Sequence, residues 1–195
     1  MDIVNAEGHK SRMNKLAAIS ALAALALVAA PVHAALKEGA TAPTFVAKGA
    51  MAGKPLTFDL AKSLKKGPVV LYFFPAAFTP GCNIEAQMFA EAIPEFTKAG
   101  ATVIGVTQGN VEQLEDFSGK HCAGKFAVAA ASDAMKKAYD VDLKKPDGTS
   151  AGVTDRTTFV IAPNGKIVLT YSDMKPNGHI TESLAAVKKL RKSEP

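Results

Sequence analysis

The most constraining feature of the sequence is an uninterrupted apolar run at residues 69–74, Val-Val-Leu-Tyr-Phe-Phe. A strand with one solvated face alternates polar and apolar residues, whereas a strand buried on both faces reads as a continuous apolar run. We therefore expect helices on both faces of the sheet that contains it. A second such run occupies residues 101–106, with a helical pattern between the two, so the chain is predicted to be an α/β protein.

The remaining segments predict further helices and strands around this sheet. A helix should run from residue 80 to about residue 98, and a second should begin at Asn110, whose Gln113 neighbour completes a capping-box pattern. Residues 157–161 and 166–171 predict a β-hairpin, followed by a closing helix. Residues 144–148 predict a turn within a loop. The predicted architecture is a sandwich with a mixed central sheet flanked by helices.

The first 34 residues have a different character from the rest. Residues 16–30 are apolar, basic residues precede them, and the segment closes with Pro-Val-His-Ala at 31–34. This pattern is typical of a secretory signal peptide, and the run is short for a membrane anchor, which needs about 20 apolar residues. We predict a signal peptide over residues 1–34, cleavage after Ala34 and one domain over residues 35–195. The released domain should be periplasmic and should not associate stably with membranes.

Charge and cysteine usage exclude several function classes. The net charge is +5, but the lysines are scattered and form no dense basic run, so nucleic-acid binding is not expected. Cys82 and Cys122 are the two cysteines, and no Cys-x-x-C sequence occurs. His121 and Cys122 are adjacent, but the other histidine of the predicted domain is distant, so no zinc-type spacing exists. We therefore predict no metal site.

The predicted strand at 69–74 leads directly into a candidate reactive thiol. Thr79 stands where an N-cap is expected, Pro80 takes the first helical position and Cys82 the third. Helix N-termini carry unpaired N–H groups and partial positive charge, so Cys82 is expected to be largely thiolate at neutral pH. The Thr79 hydroxyl is a candidate partner for the Cys82 N–H, the sulfur or a bound oxygen, and Pro75 can shield the pocket. The alternative is an inert core thiol.

Arg156 is the second candidate, because it begins the apolar strand at residues 157–161. A charge beside a core strand needs a partner. The Cys82 thiolate would serve, and the guanidinium would then keep the sulfur ionised and bind a substrate oxygen. A salt bridge to Asp155 or to another carboxylate is an equal alternative at this stage.

Two motifs carry a family resemblance. Pro75-x-x-x-Thr79-x-x-Cys82, followed by Arg156-x-Thr-Phe, resembles the peroxiredoxins, which are thiol peroxidases of thioredoxin-like fold. The longer run Phe-Thr-Pro-Gly-Cys-x-x-Glu, which ends at Glu85, is similar to the bacterioferritin comigratory protein or peroxiredoxin Q subfamily. The resemblance covers most of residues 36–190.

The resemblance implies a function for each of these residues. Cys82 would be the peroxidatic cysteine, Thr79 and Arg156 would orient the peroxide, Pro75 would shape the pocket and Glu85 would support the site from the next turn. Hydrogen peroxide and organic hydroperoxides would be the substrates, and no metal, haem or flavin cofactor would be needed. The protein would be a monomer or a homodimer.

The resolving step departs from the usual family pattern. Many members carry a second cysteine five residues after the first, where this chain has Gln87, and the C-terminal Val-Cys-Pro motif is also absent. Cys122 is the remaining candidate, and some relatives resolve from the corresponding helix, so the resemblance implies an intramolecular Cys82–Cys122 disulfide in turnover that a thioredoxin-like donor reduces. Because a disulfide needs Cα atoms within about 7 Å, both helix ends should unwind locally. Alternatively, Cys122 is structural and an external thiol resolves Cys82.

Two other function classes stay open. An exported thiol–disulfide exchange or chaperone-like protein of the same fold would suit an oxidising compartment, although the usual Cys-x-x-C is missing. A non-catalytic binding domain with a permanent structural disulfide is the other.

Overall fold

The computed structural model describes residues 35–193, which form a mixed sheet enclosed by helices. The strands are β1 (Val46–Met51), β2 (Lys54–Asp59), β3 (Val69–Phe73), β4 (Thr102–Thr107), β5 (Ala127–Ala130), β6 (Asp142–Lys144), β7 (Ser150–Thr154), β8 (Thr157–Ile161) and β9 (Ile167–Ser172). The helices are α1 (Leu60–Leu64), α2 (Pro80–Lys98), α3 (Leu114–Lys120), α4 (Asp133–Tyr139) and α5 (Asn177–Ser193). The predicted α/β sandwich of thioredoxin-like architecture is confirmed.

The central sheet has seven strands in the order β2-β1-β5-β4-β3-β8-β9. β4 is parallel to both β3 and β5, and the other pairs are antiparallel. β3 is buried along its whole length, as its uninterrupted apolar run predicts. Its alternate side chains enter two different cores, with Tyr72 on one face of the sheet and Leu71 and Phe73 on the other. The order places β4 and β8 on either side of β3, and this arrangement assembles the site.

Most of the predicted elements are confirmed. α2 begins at Pro80 and ends at Lys98, and the hairpin of β8 and β9 lies where the turn sequence indicates. Ser132 caps α4 by accepting from the Met135 N–H at 3.1 Å. No helix within residues 35–193 combines the length and hydrophobicity needed to cross a bilayer. The predicted signal peptide lies outside the described residues, so it and the domain boundary stay predictions.

The predicted capping box at Asn110 is wrong. Asn110 adopts a left-handed backbone conformation (φ 56°), its side chain makes no cap hydrogen bond, and a 3₁₀ turn at Val111–Gln113 precedes α3. Its side-chain amide instead donates to the carbonyl of Ala77 at 2.8 Å. The amide is therefore engaged by a distant loop, which no local pattern could reveal.

The predicted loop around residues 144–148 is also more ordered than expected. β6 and β7 flank this turn and pair as a separate two-stranded antiparallel sheet. Asp142 in β6 accepts from Lys144 and lies 3.1 Å from the Lys136 ammonium. Three residues of β6 are too few to show an alternation of polar and apolar side chains, so the sequence carried no strand signal there.

Gly105 is required by the packing between β3 and β4. It pairs with Tyr72 in the parallel register, and a Cβ at this position would lie 2.6 Å from the Tyr72 Cζ and 2.7 Å from its hydroxyl oxygen. The Tyr72 ring cannot move away freely, because it stacks on Phe89 with ring centroids 4.4 Å apart.

We predict that Gly105→Ala lowers the free energy of unfolding by about 1–3 kcal/mol, the range for overpacking a core. Urea unfolding of the reduced protein would measure the change. Gly119→Ala is the matched control, since a Cβ there meets nothing closer than 3.8 Å. As a helical substitution, it should raise stability by about 0.5–1 kcal/mol. Equal stability of the two variants would contradict the packing argument.

Candidate active site

Cys82 lies in the first turn of α2, as the sequence predicts. Thr79 is the N-cap with an extended backbone (φ −86°, ψ 147°), and Pro80 is the first helical residue. The N–H groups of this first turn have no partner within the helix and point toward the helix start. Cys82 itself is only 1% exposed, so the sulfur is sheltered from bulk water but lies beside a field that favours an anion.

Thr79 makes a different hydrogen bond from those considered in the sequence analysis. Its hydroxyl donates to the carbonyl of Ala76 at 3.0 Å, and it makes no side-chain cap bond to the Cys82 N–H. A threonine hydroxyl competes readily for a nearby backbone carbonyl, which accounts for the difference. Because the donor proton is engaged, the lone pairs of the oxygen are left to accept a hydrogen bond.

The loop between β3 and α2 is held by the connection that follows β4. The Thr107 hydroxyl donates to the Pro75 carbonyl at 2.9 Å, and the Asn110 amide bonds the Ala77 carbonyl. The Ala77 N–H donates in turn to the Gly109 carbonyl at 3.2 Å. Pro75 is half-buried and lies two residues after the end of β3. These contacts fix the position from which α2 begins, and with it the position of Cys82.

Arg156 engages both kinds of partner that the sequence left open. Its Nη2 donates to the Cys82 sulfur at 3.3 Å, and its Nη1 forms an ion pair and hydrogen bond with Glu85. The carboxylate partner is therefore Glu85, not Asp155. The Nε donates to the carbonyl of Met174 at 3.0 Å. The guanidinium is only 4% exposed, so three fixed acceptors determine its orientation.

Gly81 allows this close approach of the guanidinium to the helix. A Cβ at position 81 would lie 3.2 Å from the Arg156 Nη2, which is closer than nearly all real Cβ contacts. The packing therefore favours glycine at position 81, because a side chain there would press the guanidinium away from the helix N-terminus.

Burial governs the electrostatics of the Glu85–Arg156 pair. Burial raises the pKa of Glu85 to about 8, and the charge and hydrogen bond of Arg156 offset only part of this increase. Burial also acts to lower the pKa of Arg156, but Glu85 and Cys82 outweigh it, so the net shift is upward. Arg156 is therefore the permanent cation of the site, and two acidic groups face it.

His179 completes the buried network, and the sequence analysis did not identify it. Its Nδ1 lies 2.8 Å from the Thr158 hydroxyl and 3.8 Å from the Glu85 Oε1, while its Nε2 lies 2.7 Å from the Asp173 carbonyl. Its partners Thr158 and Glu85 are distant along the chain, so no local sequence pattern singles it out.

Cys122 follows α3 and is completely buried. It belongs to the same hydrophobic cluster as Cys82, on one face of the sheet, but the two cysteines are not bonded to each other. Burial raises the pKa of the Cys122 thiol. The predicted pairing is therefore not formed in this state, and Cys122 would have to move to reach Cys82.

The comparisons with known proteins agree with this geometry. The profile described as the AhpC/TSA family matches residues 39–170. The chain belongs to the AhpC/TSA family. The matched range contains Pro75, Thr79, Cys82 and Arg156, so the peroxiredoxin motifs lie within it.

Individual relatives are similarly named. The chain is 34% identical over 144 residues to Peroxiredoxin Bcp of Xanthomonas campestris pv. campestris, covering 68% of this chain and 90% of that one. It is 30% identical over 161 residues to the chloroplastic Peroxiredoxin Q of Sedum lineare, covering 82% of each.

Solved structures show the same fold. Peroxidoxin BcpB from Mycobacterium tuberculosis has a TM-score of 0.68 at 28% identity, covering 80% of this chain and 98% of that one. Xanthomonas campestris Peroxiredoxin Q has a TM-score of 0.64 at 31% identity, covering 74% of this chain and 90% of that one. The protein is thus a peroxiredoxin, a thiol peroxidase that reduces a peroxide with electrons from a thiol reductant.

The raised pKa of Glu85 predicts a pH dependence of stability in this peroxiredoxin. Because the folded protein binds the Glu85 proton more tightly than the unfolded chain does, its contribution is complete below pH 4.5 and is lost as the pH rises to about 8. The loss is at most about 1.4 kcal/mol per pH unit. Glu85→Gln removes this titration, so the variant should gain stability relative to the wild type across that window.

Urea unfolding of reduced protein at several pH values would measure this difference. Glu91→Gln is the matched control, since it removes the same formal charge from an exposed position of α2, and its stability should parallel that of the wild type. A constant difference between Glu85→Gln and wild type at every pH would contradict the assignment.

Proposed function

We propose that this peroxiredoxin reduces hydrogen peroxide and organic hydroperoxides through Cys82, that Cys122 resolves the oxidised cysteine, and that a thioredoxin-like protein is the electron donor. The observation that carries the proposal is the contact of Arg156 Nη2 with the Cys82 sulfur, 3.3 Å apart at the N-terminus of α2. A fixed cation at this distance favours the thiolate, which is the nucleophilic form of cysteine.

In the first step, the Cys82 thiolate attacks one peroxide oxygen. A sulfur–oxygen bond forms, the oxygen–oxygen bond breaks, and the leaving oxygen takes a proton to depart as water or alcohol, so that Cys82 becomes a sulfenic acid. Arg156 and the N–H groups of the first turn of α2 stabilise the charge that develops on the leaving oxygen. The Thr79 oxygen accepts from the peroxide O–H, and Pro75 shapes the pocket.

Glu85 supports this step by holding the guanidinium. It binds the Nη1 of Arg156 and leaves Nη2 directed at the sulfur. Breaking a buried ion pair leaves an uncompensated charge, which typically costs about 3–5 kcal/mol. The carboxylate therefore keeps Arg156 in place through changes in the charge state of Cys82.

In the second step, the Cys122 thiol gives up its proton as its sulfur attacks the sulfenic sulfur, a sulfur–sulfur bond forms, and the sulfenic hydroxyl leaves with that proton as water. The burial of both cysteines requires the start of α2 and the end of α3 to open first. α3 is a helix of seven residues, and Ala123 (φ 49°) and Gly124 (φ 66°) follow Cys122 in left-handed conformations. A short helix with such an end opens at modest cost. Thiol–disulfide exchange with the donor then restores both thiols.

We also propose that residues 1–34 direct export and that the domain acts in the periplasm. The support is the sequence pattern of a basic flank, a short apolar stretch and a small residue before the predicted cut. The donor would then be a thioredoxin-like protein of that compartment.

Stopped-flow mixing of reduced protein lacking residues 1–34 with hydrogen peroxide would test the peroxidase step. We expect Cys82 to be oxidised much faster than free cysteine at the same pH, and Cys82→Ser not to react. Intact mass should then show the loss of two hydrogen atoms, as in any disulfide formation. Oxidation no faster than for free cysteine would contradict the proposal and favour a thiol-exchange or binding function.

The resolving step is tested separately with Cys122→Ser. Since Cys122 does not contact the peroxide, the first oxidation should keep its rate, whereas recycling by a thioredoxin-like donor should stop. Cys122→Ala is a second variant, because it places no unpaired hydroxyl in the core. Recycling of both variants at the wild-type rate would show that Cys122 is structural and that an external thiol resolves Cys82.

A further inference from the structure

We propose that His179 is a positioning residue for peroxide reduction, holding the backbone segment that orients Arg156 on the Cys82 sulfur. This inference rests on the proposed role of Cys82 and assigns a function to a buried imidazole that touches neither the peroxide nor the sulfur. The segment in question is the connection between β9 and α5, at Asp173 and Met174.

The hydrogen bonds of the ring define its tautomer. The Nε2 lies 2.7 Å from the Asp173 carbonyl, which can only accept, so Nε2 carries the proton. Nδ1 therefore accepts from the Thr158 hydroxyl at 2.8 Å. Burial lowers the pKa of His179, and together with the charge of Arg156 it outweighs the opposite effect of Asp173. The ring is thus a neutral imidazole with one donor and one acceptor, both used.

The donor bond connects His179 to Arg156 through two successive carbonyls. Asp173 binds the imidazole, and the next residue, Met174, accepts from the Arg156 Nε at 3.0 Å. The Asp173 carboxylate accepts from the Lys175 N–H at 2.9 Å, which closes a turn around these carbonyls. The turn lies beyond the end of β9, so strand–strand hydrogen bonds do not hold it. The buried imidazole of His179 holds it instead, through the hydrogen bond to the Asp173 carbonyl.

The acceptor bond closes a circuit on β8. Thr158 is the second residue of β8, and Arg156 immediately precedes the strand. The circuit runs from Arg156 to the Met174 carbonyl, through Asp173 to His179, and through Thr158 back to β8. A histidine with a purely structural role could bind any two buried polar groups. The two partners of His179 instead connect the start of β8, next to Arg156, with the turn whose Met174 carbonyl orients the guanidinium.

The surroundings of the ring leave it little freedom. The Tyr171 ring meets it edge-on with centroids 4.9 Å apart, and Gly178 has no side chain because a Cβ there would collide with the Tyr171 hydroxyl. The ionisable groups that face His179 are Glu85, with Oε1 3.8 Å from Nδ1, together with Arg156, Tyr171 and Asp173.

Two substitutions separate the two bonds of the imidazole. Glutamine places an amide nitrogen near the position of Nε2 and can keep the donor bond to Asp173. Asparagine places its amide near Nδ1 and can keep only the bond to Thr158. We expect His179→Asn to slow the oxidation of Cys82 by hydrogen peroxide about tenfold, the effect of one lost hydrogen bond. His179→Gln keeps the donor bond to Asp173, so its oxidation rate should stay close to wild type.

Tyr139→Phe is the control for general destabilisation. It removes a hydrogen bond from the Tyr139 hydroxyl to the Pro43 carbonyl (2.6 Å), in the core on the opposite face of the sheet. Its unfolding free energy should fall while its oxidation rate stays unchanged. Wild-type oxidation rates in His179→Asn, or equal slowing in the asparagine and glutamine variants, would overturn the positioning role.

Thr158→Val is a second test of the role of His179, in case His179→Asn does not fold. Thr158→Val removes the donor to Nδ1 with little change in shape and should slow Cys82 oxidation by a few-fold. Should His179→Asn not fold, a wild-type rate in Thr158→Val would overturn the proposal. The oxidation rate of the wild-type protein distinguishes failure of the proposed function from failure of the role of His179. Slow oxidation of wild-type Cys82 would contradict the proposed function. Fast oxidation in the wild type and in the variants alike would contradict only the role of His179.

Discussion

The site depends on one buried cation. The guanidinium of Arg156 has lost almost all contact with solvent and makes three specific hydrogen bonds, to the Cys82 sulfur, the Glu85 carboxylate and the Met174 carbonyl. An unpaired buried charge would be strongly destabilising, so the fold must supply these acceptors together. In doing so it joins β8 to the start of α2 and to the connection that follows β9. Catalytic geometry and local stability therefore depend on the same contacts.

Two acidic side chains, Cys82 and Glu85, bind the same guanidinium. The sulfur of Cys82 and the carboxyl group of Glu85 make these contacts with Arg156, and burial raises the pKa of Glu85 to about 8. In the proposed cycle, oxidation of Cys82 to sulfenic acid would change the partner of Nη2, whereas the bonds of Nη1 to Glu85 and of Nε to the Met174 carbonyl do not involve the sulfur. Arg156 therefore keeps two of its three acceptors in each state of that cycle.

The strand order explains why these groups meet. β3 lies between β4 and β8, so the loop after β3, the connection after β4 and the start of β8 all come to one end of the sheet. The loop after β3 leads into α2, which carries Cys82. Thr107 at the end of β4 and Asn110 in the following connection anchor that loop, and Arg156 lies immediately before β8. Cys122 lies in the core beneath the same face. Its burial shields the thiol from solvent, so the proposed resolving step would require a change in structure.

The sequence by itself determined the features that depend on near neighbours along the chain. The buried strand, the helix that begins at Pro80, the position of Cys82 in its first turn and the hairpin of β8 and β9 all follow from periodicity, capping and turn residues. Only the tertiary structure decided the hydrogen-bond partners. Arg156 finds Glu85 and Cys82 across 71 and 74 residues of chain, Asn110 reaches Ala77 instead of capping its own helix, and His179 joins Thr158 across 21 residues. A buried polar side chain bonds whichever group the packed sheet brings within about 3 Å, and local sequence does not encode that distance.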